Sequence, residues 1–156
     1  MKNESLLLSL NKAKENNFLY NSSIENISEL LECAETPEWI VKSLEELLDG
    51  ENWEELNNRF YKNLAFGTGG MRGRTIGNII TKAEQGNTRK TETPNYAAVG
   101  SNTLNEITLL RATKALFLHI TKWLAEEGVL SQPRLVVAHD VRHFSEKFCK
   151  LSAFTW

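Results

Sequence analysis

The residues best suited to chemistry lie in the run Leu-Ala-Phe-Gly-Thr-Gly-Gly-Met-Arg-Gly-Arg-Thr-Ile-Gly, from Leu64 to Gly77. Gly67, Gly69, Gly70 and Gly73 surround Thr68, Arg72 and Arg74. Glycines let a backbone turn tightly and approach a ligand closely. Arginine guanidinium groups are planar, permanently charged forks that match phosphate oxygens. The combination suits an anion, and a phosphorylated metabolite before others. The run does not follow the G-x-G-x-x-G spacing of dinucleotide sites, and it lacks the Lys-Ser/Thr ending of a P-loop. On residue types alone, an anion-binding turn and a plain glycine-rich connection beside a strand both stay open.

A second group of polar residues is His139-Asp140-Val141-Arg142-His143, followed by Ser145. The two histidines are four apart, as in helical zinc pairs, but they flank an expected strand end and lack a third ligand, so no metal site is expected. His139 and Asp140 have the types of a general-base pair. The plainer role for Asp140 is to accept backbone hydrogen bonds at the strand end while pairing with Arg142. Ser145 reads as a helix cap and His119 as a packing residue in a long helix.

The elements that must position these groups change character along the chain. Up to residue 58 the sequence reads as acidic helices, with 13 acids and 4 bases for a net charge of −9. Thr36-Pro37 has the form of a helix start, with Thr36 as N-cap and Pro37 at the first helical position. Trp39, Ile40, Leu44, Leu47 and Leu48 recur at helical spacing up to Gly50. Further helices are expected over Trp53 to Tyr61 and Ile24 to Leu31. Residues 59–90 then carry 7 bases against Glu84 alone, a net of +6, concentrating positive charge around the glycine run. A solvated basic face is the alternative to an anion site.

Arg74 to Thr81 reads as a strand, and Lys82 to Ser101 as a long polar loop. Thr103-Leu-Asn-Glu106 has the wording of a capping box, opening a long amphipathic helix that Gly128 ends. Arg134-Leu-Val-Val-Ala138 reads as a buried strand, and a last helix opens near Ser145. Strand, loop, helix, strand, loop, helix implies an α/β/α sandwich, in which ligands bind beyond the carboxyl ends of strands. The last helix is still building an apolar face through Phe148, Leu151, Phe154 and Trp156, so a fragment or truncated reading frame is expected.

At 156 residues with 41% hydrophobic and 24% charged composition, the chain has the make-up of an ordinary globular domain. Cys33 and Cys149 show neither metal-ligand nor disulfide-framework spacing, and a reducing cytoplasm is expected. The apolar run Leu6 to Leu10 is too short for a signal peptide or membrane span. Aromatics occur only at the start of the basic segment (Phe60, Tyr61, Phe66), so no nucleic-acid partner is expected.

Three landmarks in order then resemble one family. Glu55 to Gly73, containing Phe66-Gly-Thr-Gly-Gly-Met-Arg-Gly73, is similar to the F-G-T-x-G-[LM]-R-G wording of the α-D-phosphohexomutases, which include phosphoglucomutases and phosphomannomutases. Leu110 to Ala115 resembles an arginine-alanine-threonine helix of the longer phosphoglucomutase/phosphopentomutase-like branch. Leu135 to Arg142, with Ser145, resembles its strand and aspartate-x-arginine loop.

The resemblance covers roughly residues 37 to 156. It implies a three-layer α/β/α sandwich of the family's domain I type over residues 59–156, incomplete at its C-terminus, after an α-helical extension over 1–58. The implied activity is that of an isomerase, an intramolecular phosphotransferase of carbohydrate metabolism acting through an enzyme phosphoserine. Its cofactors are Mg2+ and a hexose 1,6-bisphosphate primer.

By resemblance Arg72, Thr68, Gly69 and Gly70 contact substrate phosphate, while Arg74, Asp140 and Arg142 support the active-site wall. The family's phosphoserine, magnesium and sugar-recognition loops do not occur among these residues. The expectation is therefore an N-terminal fragment, inactive alone, whose partners are a sugar phosphate and the enzyme's C-terminal domains. The alternative is a non-catalytic sugar-phosphate-binding or protein-interaction module.

Overall fold

The computed structural model describes residues 4–156. They form two compact units, one ending at Asn105 and one running from Glu106 to Trp156. The first unit opens with four helices, α1 (Glu4–Glu15), α2 (Asn21–Glu32), α3 (Glu38–Asp49) and α4 (Trp53–Phe60). Helix α1 packs on α2 and α3, and α4 packs on both of those. The apolar stripes explain this arrangement. Leu6 and Leu10, Ile24, Ile27 and Leu31, Ile40, Leu44, Leu47 and Leu48, and Leu56 and Phe60 are all buried at helical spacing. Burying one such side chain contributes about 1.5–3 kcal/mol relative to exposure.

The helix ends are held by specific bonds. Asn57 Oδ1 accepts from the Tyr20 N–H at 2.9 Å and the Ser23 hydroxyl at 3.0 Å, tying the start of α2 to α4. Gly50 closes α3, its N–H donating to the Glu46 and Leu48 carbonyls. Pro37 stands just before the first helical residue of α3, and Thr36 does not cap that helix: its hydroxyl donates to the Leu30 carbonyl at 2.6 Å.

After α4 come β1 (Phe66–Gly67) and β2 (Gly70–Met71), an antiparallel pair with Phe66 opposite Met71 and Gly67 opposite Gly70. A single short helix, α5 (Lys82–Gln85), packs against α3. Residues 86–105 are irregular but pinned: the Ala98 N–H donates to the Thr75 carbonyl, and the Leu104 N–H to the Arg74 carbonyl, each at 2.9 Å.

The expected three-layer α/β/α sandwich is not formed. Helix accounts for 52% of the structure and strand for 3%, and the sheet has two strands. Arg74 to Thr81, expected as a strand, is a series of bends whose backbone groups bond to charged side chains. The Asn78 N–H donates to Glu55, and Arg59 donates to the Ile79 carbonyl. Those bonds leave no ladder for a neighbouring strand to complete. Arg134 to Ala138, the other expected strand, has no paired strand among the described residues.

The second unit is α6 (Glu106–Glu126) packed on α7 (Ser145–Thr155). Phe117 meets Trp156 edge to face at 5.3 Å, and Lys147 pairs with Glu106 at 2.7 Å. Gly128, at φ 69°, follows α6 as a left-handed stop. Helix α6 begins at Glu106 rather than just after Thr103, which is buried and donates to the Ala98 carbonyl at 2.6 Å. His119, expected to pack, is exposed. Leu116, Leu118 and Trp123 are exposed too, since only α7 packs beside α6 within the unit. Among the described residues no helix is long and apolar enough to cross a membrane.

Candidate functional site

The glycine run folds into the β1–β2 hairpin, with Thr68 and Gly69 at its tip. Gly70 takes φ 115°, a conformation that side chains disfavour, and so lets the second strand turn back after two residues. Thr68, Gly69 and Arg72 are exposed and Gly70 is half-buried. The Arg72 guanidinium folds back over the tip: its Nη2 lies 3.1 Å from where a Cβ on Gly69 would stand. Among the described residues Arg72 has neither a hydrogen-bond nor an ion-pair partner. Its fork is therefore free to take two oxygens of one phosphate.

Arg74 is placed differently. Its Nη2 lies 3.7 Å from Glu55 Oε2, turned toward α4. The two arginines of the run thus separate into a free fork at the tip and a tether at the base.

Joined to the run through Arg74 and Glu55 is the group of polar residues that residue types alone did not single out. Arg59 is fully buried and satisfies all five of its N–H donors. Its Nε donates to Glu55 at 2.7 Å, Nη1 to Glu84 at 2.5 Å and to the Val99 carbonyl at 3.3 Å. Its Nη2 donates to the Ile79 carbonyl and to Glu84 at 3.5 Å. Glu84 also accepts from the Ser43 hydroxyl, the Thr81 N–H and the Val99 N–H. One buried cation and two buried carboxylates therefore fasten α3, α4, α5 and the 97–100 segment to each other.

The sequence signal for this network was the i,i+4 pair Glu55 and Arg59 on α4. The network also reshapes the charge pattern. Of the seven bases in residues 59–90, Arg59 is used internally and Arg74 leans on Glu55. Lys62, Arg72, Lys82, Arg89 and Lys90 remain exposed.

A cleft of about 280 Å³ lies beside α4, lined by Glu51, Glu54, Glu55, Asn58, Asn78 and neighbours. Its three carboxylates make it unsuited to a phosphate.

Asp140 and Arg142 belong to the second unit and hold each other. Asp140 Oδ1 accepts from the Arg142 N–H at 3.1 Å, and Oδ2 from Arg142 Nε at 2.8 Å. Ser145 does not occupy the cap position of α7. Phe144 does, at φ 65°, and the Ser145 hydroxyl accepts from the Asp140 N–H at 3.1 Å. Among the described residues no three His, Cys, Asp or Glu side chains gather to hold a metal.

The Arg142 N–H, then the Ser145 hydroxyl and the Arg142 side chain, hold the Asp140 carboxyl below the ordinary aspartate range. A depressed carboxyl contributes stability above its unfolded pKa and loses it as pH falls through its folded pKa. The 139–145 turn is therefore expected to loosen in acid, below the ordinary aspartate range. An NMR titration of the Asp140 carboxyl checks this: Arg142→Ala should raise its pKa, and an ordinary pKa in the unmodified chain would refute the bonding described.

No family model matches the chain, and neither a curated protein nor a solved structure is detectably similar to it.

Proposed function

We propose that this chain is the phosphate-recognising N-terminal portion of a phosphohexomutase, of the phosphoglucomutase/phosphomannomutase kind, and is not catalytic alone. The observation that carries the reading is the unpartnered Arg72 fork lying over the Thr68–Gly69 turn. The three ordered sequence landmarks supply the enzyme class; the architecture plays no part in it. In this reading the Arg72 guanidinium binds a hexose phosphate bidentately, Thr68 offers a hydroxyl, and Gly69 and Gly70 let the ligand approach the backbone. Arg74, tethered to Glu55, sets the base of the hairpin. Asp140 and Arg142 brace their own loop and touch no reacting atom. Hexose 1,6-bisphosphate, the primer of the family reaction, presents the same phosphate group to Arg72. Among the described residues no three His, Cys, Asp or Glu side chains gather to hold a metal, and in this reading no residue of the chain is assigned as a magnesium ligand.

The test is an NMR titration of the chain with glucose 1-phosphate. Shifts are expected in residues 66–74, and Arg72→Ala should weaken binding about ten-fold or more, the worth of a charge-assisted bond. Thermal stability should change little, because Arg72 is exposed and has no hydrogen-bond or ion-pair partner among the described residues. Absence of shifts at 66–74 would refute the reading. A parallel assay with glucose 1-phosphate, Mg2+ and glucose 1,6-bisphosphate is expected to show no turnover above blank.

A further inference from the structure

Residues 132–140 run without a turn or bend between α6 and α7. Burial alternates along them. Pro133, Leu135 and Val137 are half-buried, Arg134, Val136 and Ala138 are exposed, and Val136 is 95% exposed. That is the two-residue period of a strand, on residues that favour strands. Yet no hydrogen bond among the described residues takes up an N–H or C=O of Leu135, Val136, Val137 or Ala138. An extended apolar segment with open backbone groups is a template for another strand.

We infer that the strand it takes is the same segment of a second copy, in an antiparallel pair centred on Val137. The charges select this partner and this register. Antiparallel pairing about Val137 sets Val137 opposite itself, Val136 opposite Ala138, and Leu135 opposite His139. It also sets Arg134 opposite Asp140, and two-fold symmetry makes that contact twice. Arg134 has no partner of its own among the described residues. Asp140 is exposed and has lone pairs left beside those given to Arg142. Arg134, Val136, Ala138 and Asp140 share one face, so the ion pairs flank the apolar pair at the centre. Centring the pair on Val136 leaves Arg134 opposite Ala138, and centring it on Ala138 sets Arg134 against Arg142. In-register parallel pairing opposes like charges at both ends.

Sedimentation equilibrium of the whole chain is expected to show a reversible monomer–dimer equilibrium. Arg134→Glu replaces two attractive pairs by two repulsive ones and should raise the dimer dissociation constant about ten-fold. Asp140→Lys should do the same, and the double variant Arg134→Glu/Asp140→Lys should restore pairing. Because Asp140→Lys also disturbs its own turn, cysteine trapping gives a separate readout. With Cys33→Ser and Cys149→Ser as background, Val137→Cys should form a disulfide-linked dimer on mild oxidation, and Arg134→Cys should not. A chain that stays monomeric at all concentrations overturns the inference. So does equal cross-linking at both positions, or a dimer that Arg134→Glu leaves unchanged.

Discussion

Arg59→Met is expected to lower the unfolding free energy of the first unit by about 3–5 kcal/mol, the cost of leaving buried charge without its partner. The side chain is fully buried, and so are both carboxylates it bonds. Removing it leaves Glu84, bonded to the buried Ser43 and Val99, with no cation, and leaves Glu55 with Arg74 alone, at 3.7 Å. It also leaves the Ile79 and Val99 carbonyls without a donor. Against a typical total of about 5–15 kcal/mol, a loss of this size unfolds a marginal domain. Urea denaturation followed by far-UV circular dichroism reads it directly. A loss below about 1 kcal/mol would show that the network is solvated rather than buried.

The same logic gives a control with the opposite sign. Once Arg59 is gone, the surviving carboxylates are the liability, not the missing bonds. Changing Glu55 and Glu84 to Gln in the Arg59→Met background removes both charges. It keeps one side-chain oxygen at each position, which can accept from the Asn78 N–H at 55 and from the Val99 N–H at 84, while the Thr81 N–H loses its acceptor. The triple variant is therefore expected to be more stable than Arg59→Met alone, since an uncharged, mostly satisfied network is cheaper to bury than an unpaired charge. If the triple variant were the weaker of the two, the loss would come from packing of the arginine stem instead.

How legible this was in the sequence varies by element. The spacing of Ile40, Leu44, Leu47 and Leu48 gave α3, and Ile24 to Leu31 gave most of α2, because amphipathic stripes depend only on local period. The beginning of α5 shows the limit of motif wording. Thr103-Leu-Asn-Glu106 and Thr81-Lys-Ala-Glu84 both have the S/T-x-x-E form. Thr81–Glu84 makes both reciprocal bonds, while α6 starts only at Glu106. What separates them is tertiary: Glu46 accepts the Lys82 and Ala83 N–H groups and completes the α5 start from outside.

The strands failed for a related reason. Ile76, Ile79 and Ile80 have strand propensity, but a strand needs a neighbour, and here the Asn78 N–H and the Ile79 carbonyl are bonded to Glu55 and Arg59 from α4. At the candidate site, residue types identified Arg72 and Arg74 equally. Only the position of Glu55, nineteen residues before Arg74, distinguishes the tether from the free fork.

Gly77→Ala is expected to destabilise by about 3 kcal/mol or more, and Gly67→Ala by no more than about 0.5 kcal/mol, although both glycines belong to one run. A Cβ at Gly77 would overlap Arg59 Nη2, lie 2.6 Å from Glu55 Oε1, and lie 2.8 Å from the Ile79 carbonyl. None of these can retreat. The arginine is fixed by five hydrogen bonds, the carboxylate holds the Asn78 N–H, and the carbonyl is backbone. The methyl would have to part the buried ion pair, so steric strain and lost charge pairing act together. At Gly67 the same methyl would meet only the Gly70 carbonyl, at 3.4 Å, which is ordinary contact. Gly100→Ala should behave like Gly77→Ala, since its Cβ would come within 2.6 Å of the Arg59 carbonyl. Thermal melts of the three variants order them. If Gly67 proved as intolerant as Gly77, the run would be shaped by the hairpin tip. If Gly77 and Gly100 are intolerant and Gly67 is not, the Gly77 end of the run is held by the buried arginine beside it, and the hairpin strand at Gly67 bears no such packing.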